Sequence, residues 1–368
     1  MLEKRLFMAG FVRFLLNEKI YSLIFVIILI ININWKVVDF LHLQKGKANC
    51  ITDVPGVKVG HTTLYEKLTE EKTICTGVTA ILPHEGNLFR KKVRTGSAVI
   101  NGYGKTTGLV QIEELGLLES PIMLTNTFSV GAVWQGTLKY MLDRTQEIGD
   151  TTSSINIVVG ECNDSYLNSI REQAIKPTHA ISALENATNH PVEEGDVGAG
   201  KGMVCFGYKG GIGTASRTIT DNLNTYTVGC LVVSNFGRRE HALFANLETT
   251  QIPTPDGSIM MIIATDAPLY DRQLKRLAKR CAAGLGRTGS RIDNGSGDIA
   301  IAFSTANVYD HKSDSAKETA SFLRDDHPVM NDLFQAVIET TEEAVIRSLM
   351  QAKTTEGRNG RVVEKAPI

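Results

Sequence analysis

Residues 253–268 read PTPDGSIMMIIATDAP: a polar, proline-rich loop runs into Gly257-Ser258, passes directly into an intensely apolar run, and stops at Asp266 and Pro268. A short run of this kind, bounded by turn formers, predicts a strand buried on both faces. Working outward, GVTAILP, SAVING, SPIMLTNT, INIVVGE, GMVCFGYKGG, YTVGCLVVSNFG and GDIAIAFST have the same character, so two or more stacked sheets are expected. Helical periodicity appears in LVQIEELGLL, VGAVWQGTLKYMLDRTQ, YLNSIREQAI, PLYDRQLKRLAKRCAAGLGR and residues 327–352. Strands followed by covering helices without strict alternation predict a layered α/β sandwich, sheets inside and helices outside. Residues 46–350 form the expected domain, and the polar stretch 351–368, which lacks periodicity, is expected to fray.

The 368 residues carry 39 basic and 40 acidic side chains, a balance that offers no nucleic-acid footprint and suits small neutral or zwitterionic substrates. Six scattered cysteines show neither a CxxC pair nor zinc-ligand spacing, and Cys205 and Cys230 sit in apolar runs where a thiol acts as a small hydrophobe. Residues 1–45 differ from the rest: the uncharged run IYSLIFVIILIININW (20–35) lies between Lys19 and Lys36. It is the size of a signal-peptide core, short for a span, and lacks a small-x-small cleavage site. The protein is expected to be membrane-tethered or periplasmic if that segment is real, and cytoplasmic if the start lies too far upstream. Sequons at Asn163 and Asn294, beside the candidate site residues below, argue against a glycosylating route.

Four patches place small polar groups at strand ends. Ser258 is either an ordinary strand-initiating serine or a nucleophile. Cleavage of the Gly257-Ser258 bond by an N-to-O acyl shift would give Ser258 a free α-amine able to serve as general base for its own hydroxyl. In DNGSGDIAIAFST, Ser296 and Asp298 fall on the same side of an extended segment, where the acid could orient the serine. In LVVSNFGRRE, Asn235 ends a strand and is either a turn former or an oxyanion donor. In INIVVGECNDSYLN, Glu161 follows a strand and could pair with a substrate ammonium, which would restrict the enzyme to amino-terminal substrates. His61, in VGHTT, has no GxSxG elbow to serve and reads as structural.

These residues stand within eight ordered blocks: ITDVPGVKVGHTT, ELGLLESPIMLTNTFSVGAV, VVGECNDSYLN, GDVGAGKGM, SNFG, DGSIMMIIATDAPL, LKRLAKRCAAGLGRTGS and SGDIAIAFSTAN. Together they resemble the L-aminopeptidase/D-esterase and β-peptidyl aminopeptidase family of self-processing serine peptidases over roughly 51–349. The resemblance implies a four-layer α/β/β/α sandwich autocleaved into an α fragment ending at Gly257 and a β fragment starting at Ser258. It also implies a tetrameric assembly, small peptide, amide or ester substrates, and no metal or organic cofactor. It assigns Ser258 as nucleophile, Asn235 as oxyanion donor, Ser296 and Asp298 as the Ser-Gly-acid pair, and Glu161 to the substrate amine. Two positions depart from the pattern. Asp298 stands where glutamate is common and is expected to fall a methylene short, acting through water. Asn163 stands where some members carry an aromatic that helps the oxyanion site, and Tyr166 lies close by in sequence. The alternatives are an acyltransferase of the ornithine-acetyltransferase type, whose nucleophile is threonine, and an uncleaved binding scaffold. Preference among L-peptides, D-alanyl substrates and β-peptides depends on pocket volume.

Overall fold

The structure, a computed structural model, describes residues 43–221, 223–244 and 257–368. The apolar segment 20–35 lies outside them; among the described residues no helix is long and apolar enough to cross a membrane. Residues Gln44–Ile368 form one compact unit.

Its strands are β1 (Gln44–Lys45), β2 (Lys58–Lys67), β3 (Thr73–Leu82), β4 (Lys91–Gly102), β5 (Leu117–Leu118), β6 (Ile122–Asn126), β7 (Val158–Cys162), β8 (Val204–Cys205), β9 (Tyr208–Lys209), β10 (Gly211–Thr220), β11 (Thr225–Asn235), β12 (Ser258–Thr265), β13 (Gly297–Asp310), β14 (Thr355–Glu356) and β15 (Val362–Val363). Its helices are α1 (Leu109–Leu115), α2 (Val130–Arg144), α3 (Pro177–Glu185), α4 (Asp271–Arg287) and α5 (Val329–Met350). The large sheet runs β1-β10-β11-β12-β13-β4-β5 and the smaller one β2-β3-β6-β7.

Side-chain alternation assigns the layers. In β6, Ile122 and Leu124 join Met260, Ile262, Ile299 and Ile301 in the core between the sheets. Met123 faces the other way, packing with Val133 and Met141 of α2 and Ala180 and Leu184 of α3. On the far side of the large sheet, α4 and α5 cover β4, β10, β11 and β13. The result is the α/β/β/α order expected from the sequence. β12 sits at the centre, buried along its whole length, antiparallel to β11 and parallel to β13. In α4, Leu274, Leu277, Ala278, Cys281 and Leu285 are buried, while Arg272 and Arg276 pair with Asp325 and Lys275 with Glu113, so the basic residues form a solvated face.

Two expectations are corrected. Residues 166–175 form only a single turn at Ile170–Glu172, because Asn168 and Ser169 turn their side chains to the first amides of β3, accepting from Cys75 N and Thr73 N at 3.0 Å each. The stretch 351–368 does not fray. β14 and β15 pair as a hairpin, Val363 is buried with Cys75, Leu167 and Val204, and Glu364 O accepts from Lys209 N at 2.8 Å.

Candidate active site

Strand register assembles the site. Asn235, the last residue of β11, lies opposite Ser258, the first of β12, which in turn lies beside Gly297, the first of β13. Ser258 and Asn235 share the parity of Met260 and Val233, whose side chains enter the core between the sheets, so both face the smaller sheet. The Ser258 Oγ accepts from the Asn235 Nδ2 and from the Asn163 backbone amide, each at 3.2 Å. The Asn235 amide is fixed in turn: its Oδ1 accepts from Val204 N at 3.0 Å and its Nδ2 also donates to Asn163 O at 3.0 Å. Two N–H groups therefore converge on the Ser258 hydroxyl.

On the β13 side, the Ser296 hydroxyl donates to Asp298 Oδ1 at 2.6 Å. The shorter acid reaches Ser296 directly, so no bridging water is needed for that bond. Asp298 is only 1% exposed and its Oδ2 has no partner, so burial pushes its carboxyl up to about 6. Ser296 Oγ lies 3.1 Å from where a Cβ on Gly257 would stand, which places it at the Gly257-Ser258 junction. The Gly257 carbonyl accepts from Gly297 N at 3.1 Å. Gly297 must be glycine, since an added Cβ would approach Tyr103 O to 2.7 Å.

Glu161, at the end of β7, is buried: its Oε1 accepts from Lys105 N at 3.0 Å and its Oε2 from the Thr127 hydroxyl. It lies 3.8 Å from where a Cβ on Gly104 would project, and Gly104 itself neighbours Gly297. The five side chains singled out in the sequence thus gather around one junction. His61 is elsewhere: its Nδ1 bonds Thr79 Oγ1 at 2.9 Å within the small sheet, and burial lowers its pKa to about 4. Tyr166 also stays out, under the Arg361 guanidinium and against the Cys75-Leu167-Val204-Val363 cluster. Position 163 contributes through its backbone amide, which any residue but proline would supply.

Sequence reasoning missed several supports. The Asn101 amide donates to the carbonyls of Asp293 (3.2 Å), Asn294 (3.1 Å) and Ser296, pinning the turn that carries Ser296. Thr127 and the Lys105 amide hold Glu161. Asn101 stands near the end of the run SAVING, in the last residues of β4, and Thr127 at the end of SPIMLTNT, so strand-end polarity was the available signal. Cys162 is wholly buried with its Sγ toward Val233 O at 3.4 Å, and burial raises its thiol far from reactivity.

A strand-heading serine thus stands between two amide donors in a stacked-sheet sandwich, an arrangement open to hydrolase chemistry. The sequence model of peptidase family S58 matches residues 49–363. The β-peptidyl aminopeptidase BapA of Sphingosinicella microcystinivorans is 40% identical over 350 residues, covering 88% of this chain and 87% of that protein. Among solved structures, the PH0078 protein of Pyrococcus horikoshii OT3 superposes with a TM-score of 0.83 at 49% identity, covering 89% of this chain and 93% of that one. The L-aminopeptidase D-Ala-esterase/amidase of Ochrobactrum anthropi, described as a prototype serine aminopeptidase and a variant of the Ntn hydrolase fold, gives 0.82 at 35% identity, covering 89% and 94%. The chain belongs to peptidase family S58 and is a serine aminopeptidase.

Proposed function

We propose that Ser258 is the nucleophile, freed as a new amino terminus when the chain cuts itself after Gly257, and that the mature enzyme hydrolyses the first amide or ester bond after a free substrate amine. The observation that carries this reading is the Ser258 Oγ held at 3.2 Å by both Asn235 Nδ2 and Asn163 N at the head of the central strand. Self-cleavage is supported at the other side of the junction: Gly297 N donates to the scissile carbonyl of Gly257 and so stabilises the charge that grows there during the acyl shift. The released α-amine, titrating near neutrality, takes the Ser258 proton in each later turnover. Asn235 and the Asn163 amide hold the tetrahedral oxyanion, and Asp298 orients Ser296 toward the nucleophile and its amine. Glu161, fixed by Lys105 N and Thr127, receives the substrate ammonium. Assembly into homo-oligomers belongs to the same reading and is supported by the exposed Val99 and Val110 flanking an apolar groove between β4 and α1.

The test is a denaturing gel with mass analysis. The wild type should run as two fragments divided at Gly257-Ser258, and Ser258→Ala should remain full length and inactive. An intact yet active wild type would overturn the mechanism. Glu161 is checked separately: acetylating the substrate's amino group should abolish turnover, and equal rates on free and acetylated peptides would remove Glu161 from the site.

A further inference from the structure

A cavity of about 300 Å³ opens beyond the ends of β11, β12 and β13. Phe236, Gly257 and Ser296 line it, each the chain neighbour of Asn235, Ser258 or Gly297, so it borders the nucleophile. Arg238, Arg291 and His241 line it too, and among the described residues Asp293 is the one carboxylate there. Among the described residues of the lining, two guanidiniums thus face one carboxylate, a balance that favours an anion. Neither Glu161 nor the groups around it, Lys105, Thr127 and Asn163, belong to this lining. A second cavity of about 580 Å³ does include Thr127 and Asn163, together with Phe128 and Arg171.

Both cavities border neighbours of Ser258: one reaches Gly257 and Ser296, the other Asn163, whose amide donates to the Ser258 hydroxyl. A substrate whose ammonium met Glu161 would have its acyl residue beside Thr127 and Asn163 and its leaving amine toward Arg238 and Arg291. We propose that the cavity beside Gly257 and Ser296 is a carboxylate subsite, and that the preferred substrates are dipeptides whose leaving amino acid carries a free α-carboxylate. An arginine pair suits that group, since each guanidinium offers a planar fork of donors to two carboxylate oxygens. The ammonium at Glu161 and the carboxylate at the arginines then bracket one short zwitterion. This rests on the reading of Ser258 and Glu161 given above.

The experiment compares kcat/KM of the mature full chain on alanylglycine and on alanylglycinamide, with alanyl p-nitroanilide as a carboxylate-free reference. The free acid should be preferred about tenfold or more, the scale of one charge-assisted hydrogen bond. Arg238→Gln with Arg291→Gln should bring the ratio to within about threefold of unity, and Arg291→Lys alone should keep most of it, as loss of one fork but not of charge requires. A wild-type ratio near one, including the case in which the newly formed Gly257 carboxylate fills the cavity, would overturn the proposal. So would a ratio untouched by the double change, or one moved instead by Arg171→Gln in the other cavity. Turnover of the p-nitroanilide surviving Ser258→Ala would instead sink the nucleophile assignment, which keeps the two failures apart.

Discussion

At Ser258 the chemistry rests on which protons neighbouring groups can hold, and Asp298 is the informative partner. Its folded pKa, raised by burial to about 6, lies above the ordinary 3.8. Between those values the unfolded chain is ionised while the native one keeps its proton, so stability falls as pH rises through that window and stays lowered above it. Asp298→Asn removes the buried charge while its Oδ1 can still accept from Ser296. The variant should therefore be more stable than wild type by on the order of 2 kcal/mol at pH 8, with the advantage vanishing near pH 4. Its turnover should drop about 100-fold, the scale of a disabled acid-base partner. The pH profile separates this role from a structural one: log kcat/KM should fall with a slope of about two below pH 6 in wild type, for the Ser258 amine and Asp298 together, and about one in the variant. Denaturant melts at both pH values and unchanged slopes would refute it. The side chains of this site were legible as small polar residues ending apolar runs. The Asn163 amide was not, because a backbone donor leaves no trace in residue identity.

Among the elements, β12 and its neighbours were readable because an all-apolar run has one stable environment. β10 was not: GIGTASRTIT is rich in glycine and hydroxyls, yet nearly all of it is buried. Its burial depends on partners distant in sequence, with Arg217 paired to Glu339 at 2.7 Å and Glu343 at 2.8 Å on α5. The helix also presses on the strand at Gly213, where an added Cβ would stand 1.9 Å from Ala344 O and 2.7 Å from Ser348 N. Gly213→Ala must push α5 off the sheet and should destabilise the chain by about 2 kcal/mol or more, as overpacking does. A lowered denaturation midpoint with normal self-cleavage is the expected result; an unchanged midpoint would mean that α5 shifts without cost.

Across the whole molecule, the two N–H groups proposed as oxyanion donors are held from outside the site by the carboxyl-terminal hairpin, which local polarity disguised as a tail. Arg358 N donates to Leu167 O at 2.8 Å and the Arg361 guanidinium to Tyr166 O at 3.0 Å, clamping the segment that begins at Asn163. Val363 packs with Leu167 and with Val204, whose amide fixes the Asn235 side chain. Gly357 lies so close to Leu167 that an added Cβ would come within 2.5 Å of its carbonyl oxygen. None of these residues touches Ser258, yet the hairpin clamps the segment that begins at Asn163 and packs on Val204, whose amide fixes Asn235. Ending the chain at Lys353 should therefore lower kcat about tenfold or more with a smaller change in KM, because donors placed loosely lose transition-state stabilisation before they lose substrate binding. Hydrogen exchange should rise at 163–168 and around Val204 while the amides of β12 stay protected. Val363→Ala is the milder form, removing only the packing and expected to give the same pattern at smaller amplitude. A truncated protein that turns over at the full rate would show that the sheets alone hold the oxyanion donors in place.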